Sequence, residues 1–169
     1  MNGAVIDSAL DDMRIIADTR EHDTAAFRKR FAAVGCPVIR KALDFGDYSA
    51  ETTVDGEVIS LEKIAVVERK MSLDEIAGNF TKGRERFARE FTRAKNSNAV
   101  VWIVVEGASW ENIYNGRYKS NFSPKSFAGS IFSWSAKYNL KPIFCKAETS
   151  GRIIYDILRY EMRKYLEEM

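Results

Sequence analysis

Ile64-Ala65-Val66-Val67-Glu68-Arg69-Lys70 begins as an unbroken apolar run and ends on three charged residues. A run of this kind, rich in β-branched side chains, reads as a central strand covered on both faces. Side chains alternate along a strand, so Glu68 and Lys70 share one face while Arg69 takes the other. Directly behind it, Ser72 with Glu75 three positions on forms a capping box that announces a helix. A strand passing at once into a helix is the building unit of an α/β layered domain.

The pattern holds in both directions from that point. Upstream, Met13 to Ala17 suits a buried strand, and Thr24 to Val34 carries Ala26, Phe27, Phe31 and Val34 at helical spacing until Gly35 stops it. Pro37-Val38-Ile39 starts another extended piece, Asp44-Phe45-Gly46-Asp47-Tyr48 leads into Thr52-Thr53-Val54, and Asp55-Gly56 turns the chain back into Glu57-Val58-Ile59. Downstream, the helix from Ser72 breaks near Gly78 or Gly83, and a second helical stretch carries Phe87, Ala88 and Phe91. Val100 to Val105 is the next strand. Ser123-Pro124 opens a helix through Phe127, Ile131 and Trp134 that Asn139 and Pro142 end, and Ile143-Phe144-Cys145 is a short strand. Thr149 to Met169 reads as a terminal helix with Ile154, Ile157, Leu158, Met162, Tyr165 and Leu166 on its apolar side. The expected fold is α/β, a mixed central β-sheet flanked by helices. Residues 14–169 form a single domain, preceded by an acidic segment, residues 1–13, that reads equally as a mobile arm or as a short helix beside the first strand.

Composition narrows the class. At 169 residues the chain is one ordinary domain, and 46% hydrophobic with 30% charged residues excludes disorder and fibrous repeats. Lys and Arg number 26 against 24 Asp and Glu, so a net charge of +2 proves no polyanionic partner, and any basic surface must be local. Cys36 and Cys145 lie far apart without metal-ligand spacing, which favours an intracellular setting, cytoplasmic if the source is bacterial or viral. The longest apolar stretch, Ala99 to Val105, is far below membrane-spanning length. With a single histidine, His22, hydrolysis falls to carboxylates.

Asp47 starts the hairpin whose return leads to the Glu68 strand, which makes it the expected neighbour of Glu68 and Lys70. Hard carboxylate oxygens beside an amine suit metal-assisted phosphodiester hydrolysis. Gly46-Asp47, then Glu68-Arg69-Lys70, then Asp74 resembles the signature of the XPF-type structure-specific DNA endonucleases, GD followed at a distance by ERKxxxD. Asp18-Thr19-Arg20-Glu21 looks like the D-x-R-E segment of that family, as does Gly83-Arg84 in its place after Asp74, and the likeness runs from about Arg14 to the C-terminus.

The resemblance implies a restriction-endonuclease-like fold, Mg²⁺ or Mn²⁺ as cofactor, and cleavage of branched, flapped or forked DNA. It makes Asp47, Glu68, Arg69, Lys70 and Asp74 the catalytic set. Asp47 and Glu68 would hold the metal, with the Arg69 carbonyl as a further ligand, and Lys70 would orient or activate water. Asp18 and Glu21 would add metal-binding oxygens, and Asp74 would position Arg69 or Lys70 through an ion pair. Family members usually carry helix-hairpin-helix and often helicase domains, for which this chain has no room, so a helicase partner is the corresponding expectation. A Holliday-junction resolvase, a restriction-like nuclease and a non-catalytic DNA-binding subunit are the alternatives.

DNA contact is expected from Arg20 and Arg69, whose guanidinium groups each suit two phosphate oxygens, from Arg84, and from a stripe between Asn79 and Lys95. That stretch holds six basic residues against two acidic ones, Glu85 and Glu90, and spaces Arg86, Arg89 and Arg93 along one helical face. Trp110, in an expected loop with Tyr114 and Tyr118 downstream, is the aromatic candidate for stacking on a base. The terminal helix carries Ile153, Tyr155 and Tyr160 outside its apolar stripe, which points to a homodimer or to packing against the N-terminal segment.

Overall fold

The computed structural model describes residues 1–32 and 34–169. Its elements follow in the order α1 (Gly3–Asp11), β1 (Arg14–Ala17), α2 (Ala25–Ala32), β2 (Val38–Arg40), β3 (Tyr48–Val54), β4 (Glu57–Ser60), β5 (Ala65–Lys70), α3 (Leu73–Phe80), α4 (Arg84–Asn96), β6 (Val100–Glu106), α5 (Trp110–Tyr114), α6 (Pro124–Tyr138), β7 (Leu140–Cys145) and α7 (Ala147–Glu168). The strands make one sheet in the order β2-β1-β3-β5-β6-β7. Along one edge of β3, β5 pairs at Tyr48 and β4 pairs from Glu51 to Val54. The sheet is mixed, because β3 runs antiparallel to β1, β4 and β5, whereas β5, β6 and β7 are parallel.

The alternation in β5 explains the two layers. Val66 belongs to a core shared with α3, α4 and α6, whereas Val67 belongs to one shared with α1, α2 and α7. By the same parity Glu68 and Lys70 emerge on the α3/α4 side and Arg69 on the α2/α7 side. Ser72 caps α3 by accepting from the Glu75 amide at 3.2 Å, while the Glu75 carboxylate accepts from the Met71 amide at 2.7 Å, one residue ahead of the expected capping box. The turn at Asp55 and Gly56 has positive φ at both residues, 51° and 83°, the geometry that matches strand twist in a two-residue hairpin.

Four expectations needed correction or completion. Residues 3–11 are helical, and α1 packs on α7 and β3, so the N-terminal segment is not a free arm. Pro142 does not end α6, because Asn139 does so in the left-handed conformation, and β7 begins at Leu140 with Pro142 opposite Ile103. A proline is tolerated there because β7 is an edge strand. Trp110 opens the short helix α5 instead of sitting in a loop, and its ring stacks on Phe132 with centroids 4.8 Å apart and planes 6° from parallel. Tyr118 is likewise committed to packing, edge-on to Phe127.

Candidate active site

Asp47 reaches the end of β5 by a turn that only glycine allows. Gly46 has φ 75°, and a Cβ there would lie 2.8 Å from the Val66 side chain. The Asp47 amide donates to the Val67 carbonyl at 2.9 Å, and its carboxylate accepts from the Arg69 amide at 2.8 Å. The side chain is thereby fixed against the strand that delivers Glu68 and Lys70. The Lys70 ammonium donates to Glu68 Oε1 at 2.5 Å, lies 3.8 Å from Glu75, and sits over the Phe87 ring. Glu68 Oε2 is buried with no hydrogen-bond partner.

These groups open into a cavity of about 250 Å³, which Arg20, Arg86 and Arg89 rim and which Glu90 also lines. Burial, and next the charge of Glu68, push the Asp47 carboxyl well above the usual carboxylate range, against the pull of Lys70 and the Arg69 amide. Burial also raises Glu68, where Lys70 opposes the shift and Glu90 adds to it. Lys70 shows the reverse balance. Burial disfavours its charge, but Glu68 and Asp47 outweigh that and raise its pKa. The site thus sets two buried carboxyls against one buried ammonium.

Among the described residues no three His, Cys, Asp or Glu side chains are close enough to form a metal site of protein ligands alone. The donor set nevertheless fits a hard divalent cation: two carboxylates with raised proton affinity and one buried oxygen lacking a donor. Such ions commonly take one or two carboxylates and complete their shell with water and substrate phosphate.

The other expected residues are distributed differently. Asp18 is adjacent, its amide donating to the Asp47 carbonyl at 2.8 Å, but its carboxylate is already engaged by the Arg20 amide and Nε and by the Leu43 amide at 2.6 to 2.7 Å. Although burial alone would raise it, these donors hold it below the usual range. It anchors a turn through both of its oxygens. Glu21 accepts from the Tyr48 hydroxyl at 2.6 Å and faces Arg69 at 3.9 Å, outside the cavity. Arg69, on the α2/α7 side, pairs with Glu106 at 3.2 Å and is mostly buried, set apart from the residues that line the cavity. Asp74 makes no ion pair with Arg69 or Lys70; its carboxylate accepts from the Lys119 and Ser120 amides at 2.7 and 2.8 Å and tethers the loop before α6. Glu75 takes the place beside Lys70 instead.

In the basic stripe, Arg86 and Arg89 are exposed at the cavity, and Arg20 projects there with 61% of its side chain exposed. Arg84 lies over the Trp134 ring and donates to the Phe80 carbonyl, while Arg93 donates to the Asp44 carbonyl at 2.9 Å. Sequence reading missed Glu106 and Arg30, which lie 3.4 Å apart and close the buried network around Arg69. It also took Glu90 only as a charge on a helix face.

The family model for the ERCC4 domain matches residues 17–157. This chain belongs to the ERCC4 domain family. Among solved structures, the ERCC4 domain resembles XPF from Aeropyrum pernix at 22% identity and TM-score 0.63, covering 87% of this chain and 60% of that one. A second structure, XPF from Aeropyrum pernix in complex with DNA, gives 22% identity and TM-score 0.64 over 89% of this chain and 66% of that one. This chain therefore spans less than two thirds of the solved chains it matches, and the likeness establishes a restriction-endonuclease-like fold. No curated protein matches. The resemblance to XPF-type nucleases expected from GD and ERKxxxD is borne out at the level of family and fold.

Proposed function

We propose that this ERCC4 domain is a metal-dependent endonuclease that hydrolyses phosphodiester bonds in branched, flapped or forked DNA. The observation that carries the reading is the convergence of Asp47, Glu68 and Lys70 in a cavity rimmed by Arg20, Arg86 and Arg89. Acids that repel one another unless a cation is bound sit beneath arginines placed to receive phosphates. The DNA complex solved for a protein of similar fold supports nucleic acid as the ligand.

Asp47 and Glu68 would hold Mg²⁺ or Mn²⁺. A bound divalent cation supplies Lewis-acid stabilisation of charge on the scissile phosphate. Lys70, tied to Glu68, holds a water-derived oxygen in line through its remaining N–H donors and favours the ionised form of Glu68 against the effect of burial. Arg20, Arg86 and Arg89 grip non-bridging oxygens on either side and set the register of the backbone. Phe87, buried beneath Lys70, excludes bulk water from that side.

The test uses labelled flap, fork, four-way junction, duplex and single-stranded DNA, each with Mg²⁺, Mn²⁺ or chelator. Metal-dependent cuts near the branch in flaps and forks are expected. Symmetric paired cuts confined to four-way junctions would make it a resolvase. DNA binding without cleavage in either metal would make it a non-catalytic subunit.

A further inference from the structure

Helix α4 does more than present arginines. Glu90, half-buried on its second turn, accepts a hydrogen bond from the Gly46 amide at 3.1 Å, and Arg93 one turn on donates to the Asp44 carbonyl at 2.9 Å. The two bonds clasp the loop that ends in Asp47. Phe87 and Phe91, 2% and 1% exposed, seat α4 against Trp134, so the helix has a fixed roll and Glu90 a fixed direction. Gly46 sits at positive φ with no room for a side chain beside Val66, so the loop passes close against β5 at this point. Everything downstream is tied to β5, through the Asp47 amide on Val67 and the Asp47 carboxylate on the Arg69 amide. The Asp47 loop is thus held between β5 and α4.

We propose that Glu90 is a positioning residue for Asp47, and that α4 joins the arginine rim to the reacting carboxylates through it. Glu90 acts as an acceptor for one backbone N–H, and its position in the cavity follows from that role. Because Arg86 and Arg89 precede it on the same helix and line the same cavity, a phosphate backbone seated on them bears on the helix that places Asp47. The proposal rests on the nuclease reading given above.

Glu90→Ala and Glu90→Gln separate the roles, since a glutamine Oε1 accepts from Gly46 but carries no charge. Glu90→Ala should lower kcat about 10- to 100-fold, the usual effect of losing a ligand's supporting hydrogen bond, with KM for DNA within about twofold, and Glu90→Gln should recover most of it. A Gln variant as impaired as Ala would assign Glu90 a charge role and overturn the proposal, as would an Ala variant with unchanged kcat. Hydrogen exchange at the Gly46 and Asp47 amides gives a readout free of catalysis: faster in Glu90→Ala and near wild type in Glu90→Gln. Unchanged protection in Glu90→Ala would refute the positioning role even in an active protein. Wild-type protein that cleaves nothing would defeat the nuclease reading, and exchange alone would then decide the role of Glu90.

Discussion

Lys70 Nζ and Glu68 Oε1 lie 2.5 Å apart, with both side chains at least nine-tenths buried. Two residues separated by one position in β5 therefore form a buried ion pair whose second carboxylate oxygen has no partner. An isolated pair of this kind contributes little to stability, because desolvation offsets attraction, but breaking it is costly.

Lys70→Met should accordingly destabilise the metal-free protein by about 3 kcal/mol, while Glu68→Leu/Lys70→Met should regain most of that loss. Urea unfolding of wild type, single and double variants measures the coupling. In cleavage assays Asp47→Asn and Glu68→Gln should abolish turnover and keep DNA affinity, whereas Lys70→Ala should lose turnover but still titrate with Mn²⁺, since an ammonium is no ligand. Loss of metal binding in Lys70→Ala would give Lys70 a structural role.

The acid cluster sets a pH dependence. Asp47 and Glu68 bind protons more tightly in the folded protein, chiefly through burial. A raised folded pKa adds stability below the unfolded value, about 4, and that gain is lost as pH climbs through the folded value. Asp18 runs oppositely: its lowered pKa stabilises above the unfolded value and is lost as pH falls. Metal-free protein should lose stability from the Asp47–Glu68 pair as pH climbs through their raised folded pKa values, and Mg²⁺ should restore it there. The Mg²⁺-dependent rise in Tm should grow with pH and vanish in Asp47→Asn. A rise independent of pH would remove these carboxylates from the cation site.

The parity of Glu68, Arg69 and Lys70 was legible in the sequence because strand alternation is local, and so was the approach of Asp47, which a single hairpin turn brings back to β5. Asp74 and Glu106 were not legible. The amides that occupy Asp74 belong to Lys119 and Ser120, in a loop without periodicity, and Arg69 meets Glu106 only because β5 and β6 are parallel and end side by side. The donors around Asp18 were hidden for a related reason. Its D-x-R spacing marks an acid, but the Leu43 amide that donates to its second oxygen arrives from a distant turn. Pro142 shows the limit of breaker rules, since an edge strand accommodates what a helix cannot.

The Arg69 network gives a stability prediction separate from catalysis. Glu106 faces Arg69 at 3.2 Å and Arg30 at 3.4 Å in a buried setting. Glu106→Ala leaves two buried guanidinium groups short of an acceptor and should cost about 3–5 kcal/mol, read by denaturant unfolding. A cost below about 1 kcal/mol, the range of surface pairs, would show that water replaces the carboxylate.

On the rim, Arg86→Gln and Arg89→Gln should each weaken DNA binding alike for all sequences and reduce the salt slope by about 0.9. Arg93→Gln should differ, because its guanidinium supports the Asp44 carbonyl and its loss disturbs the Asp47 loop as well as the charge. Affinity measured across a salt series checks both statements. Unchanged slopes in Arg86→Gln and Arg89→Gln would place that face in solvent.

Self-association is the remaining expectation to test. Tyr155 lies partly buried against the α1/α7 core, and Ile153, partly buried there too, also lines the groove beside Tyr160. Tyr160 is 70% exposed and borders a groove of about 390 Å³ floored by Trp102, Ile143 and Ile157. An apolar groove beside an exposed aromatic ring suits a second copy of this helix better than solvent. Sedimentation at micromolar concentration should give twice the 19.2 kDa of one chain, and Tyr160→Glu should return it to the single mass with its circular dichroism spectrum unchanged and its Tm no longer dependent on concentration. A species of 19.2 kDa alone in wild type would leave the groove without a second copy, and a dimer indifferent to Tyr160→Glu would move the interface off α7.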